Sequence, residues 1–139
     1  MATVIRPELS VKNKYYIHKH RHYELKHFCL QYPSWKKAYA ELEDVSIGSS
    51  AIERLPMANM HSDPTTRQAI KRSYYSKRIK MVERAAREAD DLLWEYILKA
   101  VTEQLSYNHL KTKLSMPCSK DTYYDRYRRF FWLLSETRD

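Results

Sequence analysis

Apolar and aromatic residues in the first part of the chain recur at the three- and four-residue steps of a helix. From Lys14 to Tyr32 the repeat runs through Tyr16, His20, Tyr23, His27 and Leu30. Pro33 interrupts it, because proline cannot continue a helix and its predecessor resists the helical region. Ser34 then reads as the cap of a short helix carrying Trp35, Ala38, Tyr39 and Leu42 and closing in Glu41, Glu43 and Asp44. Residues 1–13 show no period and read as a mobile arm.

Asp63-Pro64 gives a clear start to the next helix: aspartate accepts orphan amide hydrogens, and proline at the first position forfeits none. The strongest stripe in the chain follows, through Tyr75, Ile79, Val82, Ala86, Ala89, Leu93, Tyr96 and Ala100. It predicts one long helix, or two with a joint near Asp90. The stripe either packs on the protein's own N-terminal helices or forms the seam of a homodimer, with Ala86 and Ala89 permitting close approach. From Asp90 to Gln104 the core spacing includes Leu92, Leu93, Tyr96, Ile97, Ala100 and Val101. A short helix, Ser106 to Lys113, carries Tyr107 and Leu110 inward. Leu114-Ser115-Met116-Pro117 is then a turn, and Ser119 caps a last helix reaching about Leu134.

Three regions result: 1–45, an N-terminal helical region; 46–62, a linker with the only glycine; and 63–139, a long basic helix followed by a helix-turn-helix. The fold class is all-α. A single glycine agrees with this, since hairpins and phosphate-cradling loops need residues that tolerate positive φ.

Charge narrows the partner. The 139 residues carry 25 Lys and Arg against 17 Asp and Glu, a formal +8, which attracts polyanions. Much of it lies on one helix: Arg67, Lys71, Arg72, Lys77, Arg78, Lys80, Arg84 and Arg87 meet a single acid, Glu83, before Glu88. Arg67, Lys71, Arg72, Lys77 and Arg78 are therefore candidate phosphate contacts on duplex DNA. Lys111, Lys113, Arg126 and Arg129 join them from the C-terminal helices.

The last helix divides cleanly. Tyr123, Tyr127, Phe130 and Leu134 fall in one sector and are predicted to face inward. Ser119, Lys120, Asp121, Tyr124, Asp125 and Arg128 are the candidate base-reading set, because the start of the second helix of such a motif meets base edges. Lys120 and Arg128 can donate to guanine, Asp121 and Asp125 can accept from cytosine, and Tyr124 can pack on a thymine methyl. Ser119 can cap the helix and present its dipole to a phosphate. The competing reading is a basic amphipathic closing helix, and Trp132 projects outward without an obvious partner.

The runs Ser62 to Ile70 (SDPTTRQAI) and Met116 to Leu134 (MPCSKDTYYDRYRRFFWLL) resemble the RinA/ArpU-type phage late-transcription regulators. The resemblance covers residues 62–136. It implies a helix-turn-helix related to region 4 of sigma factors, with Ser119, Lys120 and Asp121 where the recognition helix begins. It also implies activation of late phage genes with host RNA polymerase as partner.

Other chemistry has little support. His18 and His22 share a helix face, and Cys29 could approach it, yet no local tetrahedron is completed and no metal site is predicted. No nucleophile motif occurs, and neither Cys29 nor Cys118 sits in one, so no catalytic residue, enzyme activity or cofactor is expected. Without an apolar signal core or a run of roughly 20 apolar residues, no membrane partner is expected. The expected location is the host bacterial cytoplasm, in association with the nucleoid. Two alternatives remain: a small terminase-type DNA-recognition subunit, and a protein-interaction factor that binds a host polymerase or nuclease.

Overall fold

The computed structural model describes residues 12–48 and 64–139. Among them every regular element is an α-helix: α1 (Lys19–Leu30), α2 (Tyr32–Gly48), α3 (Pro64–Ala89), α4 (Trp94–Glu103), α5 (Tyr107–Lys113) and α6 (Lys120–Thr137). They belong to two compact units. The first takes the described part of Met1–Gln31 together with Met81–Asp139, and the second takes that of Tyr32–Lys80.

In the first unit α1 packs against α4 and α6, and α4 packs against both α5 and α6. The core holds Leu25, Phe28, Cys29, Val82, Ala86, Ala89, Ile97, Leu110, Met116, Tyr123, Phe130, Phe131 and Leu134. Removing such side chains from water is the main favourable term in folding, at about 1.5–3 kcal/mol for each large one. Val82, Ala86 and Ala89 are thus closed within the chain itself. The homodimer seam considered for them would have to form elsewhere.

α1 starts later than its periodicity suggested. The Asn13 carboxamide accepts the Tyr15 amide at 2.8 Å, and its carbonyl accepts the Tyr16 amide at 3.0 Å. This local turn competes with helix, and His18 then caps α1 by accepting from the His20 amide. The inward face also differs. His20, Tyr23 and His27 are exposed, and the helix buries His22, Leu25, Phe28 and Cys29. Spacing by threes and fours fits more than one stripe, and α4 and α6 select the most apolar.

Pro33 sits in the first turn of α2, where its missing amide hydrogen costs nothing. Ser34 is therefore inside that helix and does not cap it. α2 continues to Gly48, past the expected linker start at 46; the rest of that linker and the Asp63 cap lie outside the described residues. So does the expected N-terminal arm, apart from its last two residues.

The joint near Asp90 is real. Its carboxylate accepts the amides of Leu92 at 2.7 Å and Leu93 at 2.8 Å, ending one helix and preparing the next. This turn turns Leu92 outward, 84% exposed, against its expected core position. α4 closes on Gln104 in the left-handed region, with the Leu105 amide donating to the Ala100 carbonyl at 3.1 Å.

Candidate nucleic-acid interface

The C-terminal constellation is built from two capped helices. The Ser106 hydroxyl accepts the His109 amide at 3.1 Å to start α5, and the Ser119 hydroxyl accepts the Thr122 amide at 3.3 Å to start α6. Such a cap contributes about 1 kcal/mol. Between the helices Ser115 takes φ 55, where a glycine would be least strained, and the Met116 amide donates back to the Leu110 carbonyl at 3.1 Å. Ser115 thus fills the place of the turn glycine the sequence lacks, at a cost of roughly 1–2 kcal/mol. Burial of Met116 offsets it. Met116, expected only as part of the turn, is a core residue; an apolar residue beside a proline is the available signal.

Two side chains of α5 clasp this turn. The Lys111 ammonium donates to the carbonyls of Met116 and Cys118, each at 3.2 Å, and the Tyr107 hydroxyl donates to that of Cys118 at 3.1 Å. Lys111 was expected on phosphate; two of its three hydrogens hold the turn. Lys113 is exposed at the end of α5.

α6 is anchored by Tyr123, Phe130, Phe131 and Leu134, all at most 1% exposed. Phe131 was not expected among them, whereas Tyr127 is only half-buried. Phe131 meets the buried His22 ring edge-on at 4.8 Å, so His22 and the exposed, capping His18 do not converge on one metal. Among the described residues no cluster of His, Cys, Asp and Glu suits a metal ion. Burial pushes the Cys29 thiol far up, against the pull of Arg138, and leaves it protonated and unreactive.

The N-terminal part of the unit holds the other end of α6. Arg21 donates to the Ser135 hydroxyl at 3.1 Å and to the Ser135 carbonyl at 3.0 Å. Arg138 lies over the Phe28 ring at 4.3 Å. Trp132 rests 6.0 Å from the Tyr15 ring, which accounts for its outward projection from α6.

On the opposite side Lys120 and Asp121 are exposed, and Tyr124, Asp125 and Arg128 are half-exposed. Asp121 lies in the first turn, where the helix dipole favours it. Tyr124 stands among Tyr107, Tyr123 and Tyr127, with ring centroids 6.1, 5.1 and 6.3 Å away. Partial burial and the neighbouring Tyr107 push its hydroxyl up, with Arg128 opposing, so it is a neutral donor at physiological pH.

Arg126 and Asp125 behave differently from expectation. Arg126 donates through Nε to Asp90 at 2.9 Å and through a terminal nitrogen to Asp125. Burial alone would raise the Asp90 carboxyl; the Leu93 and Leu92 amides and Arg126 outweigh it and hold it below the usual range. Arg126 is therefore engaged in fixing α6 to the α3–α4 joint. Its charge also balances Asp125, which would otherwise repel phosphate. Arg129 is half-buried, with its Nε shielded from solvent.

The other basic surface is the outer face of α3. Arg67, Lys71 and Lys77 are exposed there, Arg72 and Arg78 half-exposed, and the Arg78 guanidinium lies 3.5 Å over the Tyr74 ring. The fold and this site define an all-helical protein with two capped C-terminal helices joined by a clasped turn. Comparison with protein families, characterised proteins and solved structures returns no match.

Proposed function

We propose that this protein is a DNA-binding transcription regulator that inserts the start of α6 into the major groove. The observation that carries the reading is the division of α6. Tyr123, Phe130 and Leu134 anchor it, while Lys120, Asp121, Tyr124 and Arg128 line its solvent side beyond a capped, clasped turn. A groove about 12 Å wide admits one helix, and side chains from its first turns reach base edges. Tyr124 is held by its tyrosine neighbours before any ligand arrives, so little of its freedom remains to be lost on binding. Lys113, and Arg129 through its terminal nitrogens, would touch phosphate, and Lys111 and Arg126 would set register by holding the turn and the helix.

The likeness to RinA/ArpU-type regulators supports a phage origin, activation of late genes with host RNA polymerase, and a site of action on DNA in the bacterial cytoplasm. No catalytic group belongs to this reading. The test is a gel shift with duplex from upstream of late phage genes. Retention should fall steeply as salt rises, because each neutralised phosphate releases counterions. Absence of retention even at low salt would reject the proposal. Mapping of bound sites across the phage and host genomes separates a regulator, found at promoters, from a packaging subunit, found at packaging sites.

A further inference from the structure

The first half of α3, which lies within the second unit, carries charge and apolar surface together. From Arg67 to Lys80 there are six cations and no acid. Arg67, Ile70, Lys71, Tyr74, Lys77 and Arg78 recur at three and four residues, so they share one face. Ile70 is 63% and Tyr74 48% exposed among those cations. The Arg78 guanidinium lies 3.5 Å over the Tyr74 ring and donates to the Tyr74 carbonyl at 3.2 Å. The Tyr75 ring meets that of Tyr74 edge-on at 5.3 Å. Ring and guanidinium are thus held together before any ligand arrives.

A duplex satisfies the cations of this face and leaves the rest idle. Its phosphates can meet Arg67, Lys71, Lys77 and Arg78, but its bases are stacked on one another and offer Tyr74 no ring face. A single strand presents phosphates and open base faces together. An exposed aromatic ring beside a guanidinium is the platform on which such bases stack. Ile70, one turn earlier, adds apolar surface for a neighbouring base. The face runs about 16 Å from Arg67 to Arg78 at the usual helical rise, the length of roughly five stacked nucleotides at about 3.4 Å each. An anionic bilayer fits less well: helices that lie on membranes bury a large apolar face, and Ile70 is the one aliphatic side chain of the six.

We infer that this face of α3 binds single-stranded nucleic acid without sequence preference. One base stacks on Tyr74, Ile70 lies against its neighbour, and Arg67, Lys71, Lys77 and Arg78 take the phosphates. Duplex is drawn to the same cations more weakly, because Tyr74 contributes nothing to it. The site is separate from the start of α6, so it does not depend on the major-groove reading.

The test is fluorescence anisotropy of the full chain with labelled oligo-dT and oligo-U, beside a duplex of unrelated sequence. Both single strands should bind comparably, since neither the ring nor the cations read the sugar. Log affinity should fall against log salt with a slope of about −3, for four neutralised phosphates. Tyr74→Ala should lower single-strand affinity at least about fivefold and leave duplex affinity and helicity unchanged. Tyr74→Phe should keep both affinities, because the ring stacks and the hydroxyl does not. Lys71→Gln should weaken single strand and duplex alike. Lys120→Ala with Arg128→Ala should leave oligo-dT binding intact, which separates this site from α6. An oligo-dT carrying one 5-iodouracil should crosslink to Tyr74 on irradiation. No loss on Tyr74→Ala, an equal loss for single strand and duplex, crosslinks confined to α6, or binding to phosphatidylserine vesicles in place of oligo-dT would overturn the inference.

Discussion

α6 and the first half of α3 are both basic and both amphipathic, yet they manage charge in opposite ways. On α6 the cations are interleaved with acids: Arg126 holds Asp90 and Asp125, and Arg128 stands beside Tyr124. On α3 the stretch Arg67 to Lys80 carries six cations and no acid. A field of like charges attracts any polyanion or acidic surface, and discriminates little. A few donors fixed on an anchored helix can tell one base edge from another, because discrimination needs geometry more than charge. If α6 reads sequence as proposed, the contrast teaches that charge density alone is a poor guide to a reading helix.

The comparison can be broken most forcefully through the anchors. Phe130→Ala removes a fully buried ring on which α6 rests and should cost about 3–5 kcal/mol in urea unfolding. Next in size, Lys120→Ala with Arg128→Ala should reduce preference for the cognate site by about 1–3 kcal/mol per lost base contact, with the unfolding midpoint unchanged. Reversing charge at Arg72 and Arg78 should instead weaken all duplexes alike, and equal effects from both pairs would erase the difference between the two helices. Ser119→Ala should cost about 1 kcal/mol of stability, with fraying confined to the start of α6.

The smallest effect concerns pH. Because Asp90 is held below its ordinary value in the folded chain, its stabilisation is complete above that value and disappears as pH falls through the lowered one. Asp90→Asn should therefore flatten the acid limb of the stability profile, measured by urea unfolding from pH 6 downward. An unchanged limb would remove Asp90 from the account.

Much of this was legible in the sequence where local chemistry dominates. The caps Ser106 and Ser119, Pro64 as the first residue of α3, the break at Asp90 and the inward Tyr123, Phe130 and Leu134 all follow from short-range rules. What escaped depends on tertiary choice. The buried face of α1 was set by the helices it meets, so His22 and Phe28 went in where His20 and Tyr23 were expected. Leu92 went out because Asp90 captured two amides and turned the backbone. The roles of Lys111 and Arg126 were hidden because a cation on a turn carbonyl and one facing phosphate look alike in sequence.

The central claim concerns which side of α6 meets DNA. Titrating a cognate duplex into isotope-labelled protein and following amide resonances tests it directly. The account predicts the largest changes at residues 119–128, with the buried face of α1 undisturbed. Duplex binding that leaves the start of α6 unperturbed would contradict it.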